Sequence, residues 1–229
     1  MSLRLHLVRH GRVDFASKDF RNTPRGPQWD PPLGEEGREQ AERLALRLAA
    51  MGTLAGLYVS PYRRCRQTVR PYEERAGARA EVVDDLREVF IGEWEGVPFE
   101  DLVAEREELV RARFIDQEPV FKVAPGAETG EELRGRVVPA IEGMLARVGD
   151  GAGGGGDEGN GGDVVVVAHG GVINAYLVHI LGLPQDMLFL PDNASVNTVD
   201  VDGFERRVRF LNDVAHLWYP EVFEARLGR

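Results

Sequence analysis

Residues 164–171 read Val-Val-Val-Val-Ala-His-Gly-Gly, the strongest strand signal in the chain. Four consecutive valines are typical of a strand that is buried on both faces, as the central strands of a parallel sheet are. The run ends in His169 and Gly170, so an ionisable ring follows the strand directly. The segment therefore predicts a central strand with a chemically useful residue at its carboxyl end.

A second segment has the same form, because residues 5–11 read Leu-His-Leu-Val-Arg-His-Gly and end in His10 and Gly11. Ligands of open α/β sheets bind beyond the carboxyl ends of the strands. Two parallel, adjacent strands would therefore bring both histidines into one site. We expect Gly11 and Gly170 to leave room for a ligand and to expose backbone N–H groups. A helix starting near Gly170 would also direct its positive end at an anion.

The rest of the 229-residue chain alternates between strand and helix patterns. Strands are predicted at 3–8, 56–59, 81–83, 164–167, 195–201 and 207–211, and helices at 35–51, 63–75, 99–113, 131–148 and 172–181. This alternation predicts an α/β fold with a largely parallel sheet. Residues 12–34 show no clear period and are expected to form a long loop. We treat 1–229 as a single domain, in which the glycine-rich segment 149–163 is a flexible loop.

Composition excludes several classes of protein. The formal net charge of −10 argues against nonspecific nucleic-acid binding, and it means that an anionic substrate requires a local cationic pocket. The single cysteine, Cys65, excludes an internal disulfide framework, fits a reducing compartment and is expected to be a small buried residue. The N-terminal run is too short and too charged for a signal peptide or membrane span, so we expect a cytoplasmic protein without a membrane partner.

Further polar residues follow two other predicted strands. Ser60 is followed by Arg63, Arg64 and Arg66, and Glu88 comes after the strand at 81–83. Arginine binds phosphate oxygens bidentately, a histidine can act as a nucleophile, and a carboxyl group can act as a general acid. With the two strand-end histidines, this set predicts phosphoryl transfer without a metal. A zinc site from His10, His169 and Glu88 fits by residue type, but neighbouring arginines disfavour a dication.

These motifs together resemble the histidine phosphatase superfamily, which contains the cofactor-dependent phosphoglycerate mutases and many phosphatases. The resemblance covers nearly the whole chain. It rests on Leu-Val-Arg-His-Gly (7–11), Pro-Leu with Gly-Arg-Glu-Gln-Ala (32–41), Ser-Pro-Tyr-Arg-Arg-Cys-Arg-Gln-Thr (60–68), Leu-Arg-Glu-Val-Phe-Ile-Gly-Glu-Trp-Glu-Gly (86–96), Pro-Gly-Ala-Glu-Thr (125–129), Ala-His-Gly-Gly-Val-Ile (168–173) and Asn-Asp-Val-Ala-His-Leu (212–217). It implies a three-layer α/β/α sandwich with a mostly parallel central sheet.

The resemblance also implies roles for individual residues. His10 corresponds to the phosphorylated nucleophile and Glu88 to the proton donor. The implied phosphate pocket consists of Arg9, Arg64 and a protonated His169, with Ser60 and the Gly170 backbone as further contacts. Arg63 and Arg66 are expected on the surface, and no metal or cofactor is implied.

The chain departs from the family pattern after Arg-His-Gly. The family usually has an acid, then Thr or Ser, and an Asn three residues further on, whereas this chain has Arg12, Val13 and Ala16. The polar residue that the loop 12–34 contributes to the phosphate pocket is therefore not identified, and Asn22 is a candidate.

The resulting prediction is a phosphomonoesterase that hydrolyses a phosphate ester of a small metabolite through phosphohistidine. Two alternatives stay open, a phosphoglycerate mutase and a non-catalytic phosphate-binding protein of the same fold. The Gly-Gly after His169 and the Gly-Glu-Trp-Glu-Gly at 92–96 favour the phosphatase branch. Glu93 and Glu95 are expected to be replaceable at small cost. The physiological substrate and the oligomeric state are left open.

Overall fold

The computed structural model of the protein describes residues 2–97, 99–114, 124–151 and 162–228. The strands are β1 (Ser2–Arg9), β2 (Phe20–Thr23), β3 (Gly26–Trp29), β4 (Gly56–Val59), β5 (Glu81–Val82), β6 (Asp163–Ala168), β7 (Val196–Asp202) and β8 (Glu205–Asp213). The helices are α1 (Glu35–Ala49), α2 (Arg63–Ala76), α3 (Phe99–Phe114), α4 (Gly130–Gly151), α5 (Gly170–Ile180), α6 (Ala215–Trp218) and α7 (Pro220–Arg226). None of these helices combines the length and apolar content needed to cross a membrane.

Six strands form one sheet in the order β5-β4-β6-β1-β7-β8. The first four are parallel, and β7 and β8 add an antiparallel edge. The valines of β6 alternate between the two faces. Val164 and Val166 pack in the core under α4 and α5, while Val165 and Val167 pack in the core under α1 and α2. The prediction of a three-layer sandwich with a mostly parallel sheet is therefore confirmed.

The pairing of β1 with β6 brings the two His-Gly motifs together. Leu7 lies opposite Val166 and Arg9 opposite Ala168, so the two strands end at the same level. The backbone N–H of His10 then donates to the Ala168 carbonyl at 3.0 Å. Both histidines consequently emerge at the same edge of the sheet, as the strand patterns predicted.

Residues 12–34 do not form a simple loop, and this expectation was wrong. They contain the hairpin β2–β3, in which Phe20 pairs with Trp29, and an isolated bridge joins Val13 to Leu33 at its base. Gly26 follows the turn with a φ of +123°, a conformation that favours glycine. The sequence carries little strand signal here, because each strand has only four residues and β3 includes Pro27.

The glycine-rich segment 149–163 has shorter limits than expected. Gly149 belongs to α4, which ends at Gly151, and Asp163 begins β6. Residues 152–161 lie outside the described part of the chain, so their assignment as a flexible loop stays a prediction.

Helix α1 crosses the chain just after His10 at very short range. A Cβ atom at Gly37 would lie 2.0 Å from the Arg12 carbonyl oxygen, and one at Gly11 would lie 2.7 Å from the Gly37 carbonyl oxygen. The N–H of Gly11 donates to Thr68 Oγ1 at 2.9 Å. Gly11 is therefore required for close packing of α1. Its N–H is already bonded to Thr68, so the expectation that this group is exposed to a ligand was wrong.

This contact makes Gly37 a sensitive test of the fold. In an open helical position Gly→Ala stabilises a protein by about 0.5–1 kcal/mol. We expect Gly37→Ala instead to lower the free energy of unfolding by about 1–3 kcal/mol, because the added methyl overlaps the Arg12 backbone. Gly135→Ala in α4 is the matched control, since a Cβ there would meet nothing within 4 Å. Urea unfolding measures both, and equal stabilisation by the two substitutions would contradict the packing.

Candidate active site

Two buried histidine rings form the centre of the site. Their centroids lie 5.3 Å apart, and the residues are 6% (His10) and 0% (His169) exposed. His10 Nδ1 lies 2.8 Å from the Gly11 carbonyl oxygen, to which it donates as an N–H. This assignment of the tautomer leaves Nε2 of His10 with a free lone pair, which is the form a nucleophile requires.

Two arginines place positive charge beside these rings. Arg64, in the first turn of α2, is buried, donates to the Trp29 carbonyl at 3.0 Å and lies 3.6 Å from Asp30. Arg9 ends β1 and donates to the Pro191 carbonyl. The Nε of Arg9 is buried and has no hydrogen-bond partner among the described residues. A buried cationic donor without a partner is suited to binding an anion such as phosphate.

The environment of the histidines keeps them neutral. Burial, followed by the charges of Arg64 and Arg9, lowers the pKa of His10 well below its usual range. Burial and Arg64 likewise lower the pKa of His169. These effects favour the neutral form of His169, and its protonation in the reaction stays a prediction.

A neutral His169 can still donate to a ligand. Ser60 is buried, and its Oγ lies 2.7 Å from His169 Nε2. When the Ser60 hydroxyl donates to Nε2, the ring proton resides on Nδ1. In that tautomer the Nδ1–H is a donor, and Cys65 Sγ lies 3.8 Å from this nitrogen.

Glu88 reaches the same edge of the sheet from the segment after β5. Its Oε1 accepts hydrogen bonds from the N–H groups of Val89 at 2.9 Å and of Gly171 at 3.1 Å. A Cβ at position 171 would lie 2.5 Å from this oxygen, so Gly171 is needed for Glu88 to dock on the start of α5. Burial lowers the pKa of Arg9, and the negative charge of Glu88 partly offsets this by raising it.

The remaining predicted residues fall at or around this edge. Gly170 is the first residue of α5, directly after His169. Arg63 and Arg66 are exposed, as expected, and Arg63 pairs with Asp19 at 2.7 Å. Asn22 is an exposed residue of β2. Trp29 and Asp30, rather than Asn22, are the loop residues that contact the buried guanidinium of Arg64.

Sequence reasoning missed Tyr62 and Gln28. The ring of Tyr62 lies 5.2 Å from that of His169 and 4.7 Å from the guanidinium carbon of Arg64. Its hydroxyl donates to Gln28 Oε1, and burial raises the pKa of this phenol. Tyr62 could have been suspected from its place between Ser60 and Arg64, but no pattern singled out Gln28.

Cys65 is the small buried residue that we expected. Its thiol donates to the Ala168 carbonyl, with Sγ 3.3 Å from the oxygen, and Sγ lies 3.4 Å from His169 Nε2. Burial raises the pKa of the thiol, which therefore stays protonated and packs behind the imidazole. In the described residues, no group of three or more His, Cys, Asp and Glu side chains could hold a metal ion.

Comparison with known proteins agrees with this geometry. The family model described as histidine phosphatase superfamily (branch 1) matches residues 5–214. Glucosyl-3-phosphoglycerate phosphatase of Mycobacterium tuberculosis is 32% identical over 181 residues, which cover 79% of this chain and 76% of that protein. Metal-independent phosphoserine phosphatase of Arabidopsis thaliana is 26% identical over 212 residues, which cover 92% and 82% respectively.

A solved structure is also similar. The mycobacterial glucosyl-3-phosphoglycerate phosphatase in complex with inorganic phosphate superimposes with a TM-score of 0.74 and 30% identity. The match covers 93% of this chain and 98% of that one. The likeness therefore extends over nearly the whole chain.

The neutral buried histidines predict a dependence of stability on pH. A histidine has a pKa of about 6.5 when unfolded, so in acid the unfolded chain binds a proton that the native His169 does not. The stabilisation is complete above that pKa and is lost as the pH falls below it, by about 1.4 kcal/mol per unit for each such histidine. We expect His169→Gln to reduce the loss of stability between about pH 7.5 and about pH 5.5 by roughly that amount.

The exposed His179 of α5 provides the matched control, and His179→Gln should keep the wild-type pH dependence. Chemical unfolding at the two pH values measures the difference. If His169→Gln retained the full wild-type dependence, His169 would be charged in the native protein.

Proposed function

The chain belongs to the histidine phosphatase superfamily (branch 1) and is a phosphoric monoester hydrolase acting on small metabolites, and from that premise we propose that it forms phosphohistidine on His10. One observation carries the proposal. Nδ1 of His10 is engaged by the Gly11 carbonyl, so the basic Nε2 remains for attack beside Arg9 and Arg64. A neutral imidazole needs no deprotonation before it attacks.

The proposed reaction has two steps. In the first, His10 Nε2 bonds to phosphorus while the ester P–O bond breaks in line, and Glu88 gives its proton to the leaving alcohol oxygen. In the second, the Glu88 carboxylate takes a proton from water as the water oxygen bonds to phosphorus, and the P–N bond breaks to restore His10 and release phosphate. The guanidinium groups of Arg9 and Arg64 and the Nδ1–H of His169 stabilise charge on the equatorial oxygens.

The names of the relatives narrow the class of substrate. Phosphoserine and glucosyl-3-phosphoglycerate are both phosphate esters of small aliphatic alcohols. Such alkoxides leave poorly, which gives a general acid such as Glu88 a clear task. We therefore propose an alkyl phosphate of a small metabolite as the substrate class. The alternative is a phosphoglycerate mutase, and release of inorganic phosphate from the substrate would exclude it.

Location and metal independence belong to the same proposal. The lone Cys65 is a buried free thiol, which supports a reducing cytoplasmic compartment. The charge that a metal would otherwise supply comes from Arg9 and Arg64, which supports turnover without a metal.

The nucleophile can be tested by trapping. Rapid acid-free quenching after brief exposure to ³²P-labelled substrate should leave label on His10, as a phosphoramidate that is stable in alkali and labile in acid. His10→Ala should remove both the label and turnover. Label that survives acid, or normal turnover by His10→Ala, would refute the assignment.

Metal independence has a separate test. Exhaustive treatment with a chelator should leave kcat/KM unchanged, and orthovanadate should inhibit because it adopts the five-coordinate geometry of the transferring phosphoryl group. Loss of activity with the chelator and its return with added zinc or magnesium would restore the metal-site alternative.

The role of Glu88 predicts a dependence on the leaving group. Glu88→Gln should lower kcat/KM for phosphoserine by about 10²–10⁴-fold and have much less effect with nitrophenyl phosphate, whose phenolate leaves without a proton. The variant should also accumulate phosphohistidine with the nitrophenyl ester, visible as a burst. Glu93→Gln is the control, because Glu93 is an exposed carboxylate in the same segment. Equal slowing of both substrates would leave Glu88 without its acid role.

A further inference from the structure

Glu95 is a half-buried carboxylate that the proposed reaction does not use. Its Oε2 accepts a hydrogen bond from the Trp29 N–H, and its Oε1 accepts one from the Ile91 N–H, both at 3.0 Å. Burial raises the pKa of Glu95, while these two N–H groups favour its charged form. Both oxygens are thus engaged with the backbone, so the residue is not placed to exchange a proton with substrate. The expectation that Glu95 is a replaceable bystander like Glu93 does not fit these contacts.

Trp29 links this carboxylate to the phosphate pocket. Its N–H donates to Glu95, and its carbonyl accepts the hydrogen bond from Arg64 Nη1 at 3.0 Å. The next residue, Asp30, accepts from the Arg63 N–H at 2.9 Å and lies 3.6 Å from Arg64. The end of β3 therefore connects the two residues, because the Trp29 carbonyl accepts from Arg64 and the Trp29 N–H donates to Glu95.

The other partner of Glu95 belongs to the segment that carries Glu88. Ile91 is three residues beyond Glu88 in the same irregular stretch. The side-chain amide of Gln28 donates to the carbonyl oxygens of Val89 at 3.0 Å and of Glu88 at 3.3 Å. Strand β3 thus docks along residues 88–91, and Glu95 adds a second link by accepting from the Trp29 and Ile91 N–H groups.

We propose that Glu95 is a positioning residue that fixes the carboxyl group of Glu88 relative to the guanidinium of Arg64. This inference rests on the proposed roles of those two residues. Proton transfer needs Glu88 within hydrogen-bond reach of the ester oxygen while Arg64 holds the phosphoryl group, so the spacing between the two groups enters the rate directly. A change at Glu95 can alter this spacing while Glu88 and Arg64 themselves stay unchanged.

The substitution Glu95→Gln removes half of this connection at nearly constant volume. The amide offers one oxygen as an acceptor, and its NH₂ group faces the second backbone N–H, a donor. One half-buried N–H then loses its partner, and β3 can shift relative to residues 88–91. The effect on catalysis should resemble a weakened Glu88 rather than a general loss of structure.

The test compares kcat/KM for phosphoserine and nitrophenyl phosphate in Glu95→Gln, Glu93→Gln and Glu88→Gln. We expect Glu95→Gln to lower kcat/KM for phosphoserine by about 10- to 100-fold and that for nitrophenyl phosphate by less than about threefold. Glu93→Gln should leave both values unchanged. The ratio of the two kcat/KM values does not depend on the fraction of folded enzyme, so modest unfolding cannot imitate the result.

The double variant Glu88→Gln/Glu95→Gln separates positioning from a purely structural role. If Glu95 acts through Glu88, its substitution should add little once the acid is absent. Equal losses with both substrates, or full additivity in the double variant, would overturn the inference while leaving the acid role of Glu88 intact. If Glu88→Gln itself shows no dependence on the leaving group, the acid role of Glu88 and this inference both fail, while the phosphohistidine on His10 keeps its separate trapping test.

A second variant covers the case in which Glu95→Gln does not fold. Glu95→Asp keeps the charge but is one methylene shorter and cannot span both N–H groups. It should change the ratio of the two kcat/KM values in the same direction, and an unchanged ratio in this folded variant would also overturn the inference.

Discussion

The parallel pairing of β1 with β6 is the constraint on which the candidate site depends. These neighbouring central strands end at the same level, with Arg9 opposite Ala168, and the His10 N–H continues the ladder by donating to the Ala168 carbonyl. The carbonyl of His10 accepts in turn from the Ala194 N–H and from Asn193 Nδ2, both at 3.1 Å. His10 is therefore held by the end of β6 on one side and by the turn before β7 on the other, and its ring lies 5.3 Å from that of His169.

Burial at this sheet edge determines the chemistry of the groups. It lowers the pKa of both histidines beside two arginines, which favours neutral imidazoles next to fixed positive charge. In water, imidazole would be partly protonated and the guanidinium groups fully hydrated. Inside the protein the same groups are pre-oriented donors beside an imidazole nitrogen with a free lone pair, an arrangement suited to stabilising charge on a bound anion.

The hairpin β2–β3 makes the site depend on contacts that are distant along the chain. Trp29 holds Arg64 by its carbonyl, and Gln28 connects Tyr62 with the backbone around Glu88. Each of these contacts joins segments more than 30 residues apart. Cys65 and Tyr62 then pack against His169 from the side of α2. Residues without any chemical role of their own thereby set the positions of those that have one.

The sequence by itself determined the sheet, because four valines and the two strand–His-Gly motifs depend on local hydrophobic pattern. It also predicted that His10 and His169 meet, since strand ends in an α/β fold converge on one edge. The family resemblance singled out Arg9, Arg64 and Glu88, which the structure places around these rings, and their roles stay predictions. It could not identify the hairpin, the hydrogen bonds of Glu95 or the true role of Gly11. Those features depend on which distant backbone groups meet. The lowered pKa of His169 likewise follows from its burial among arginines. Only the tertiary structure decides such contacts, because a hydrogen bond between residues 29 and 95 leaves no periodic trace in either segment.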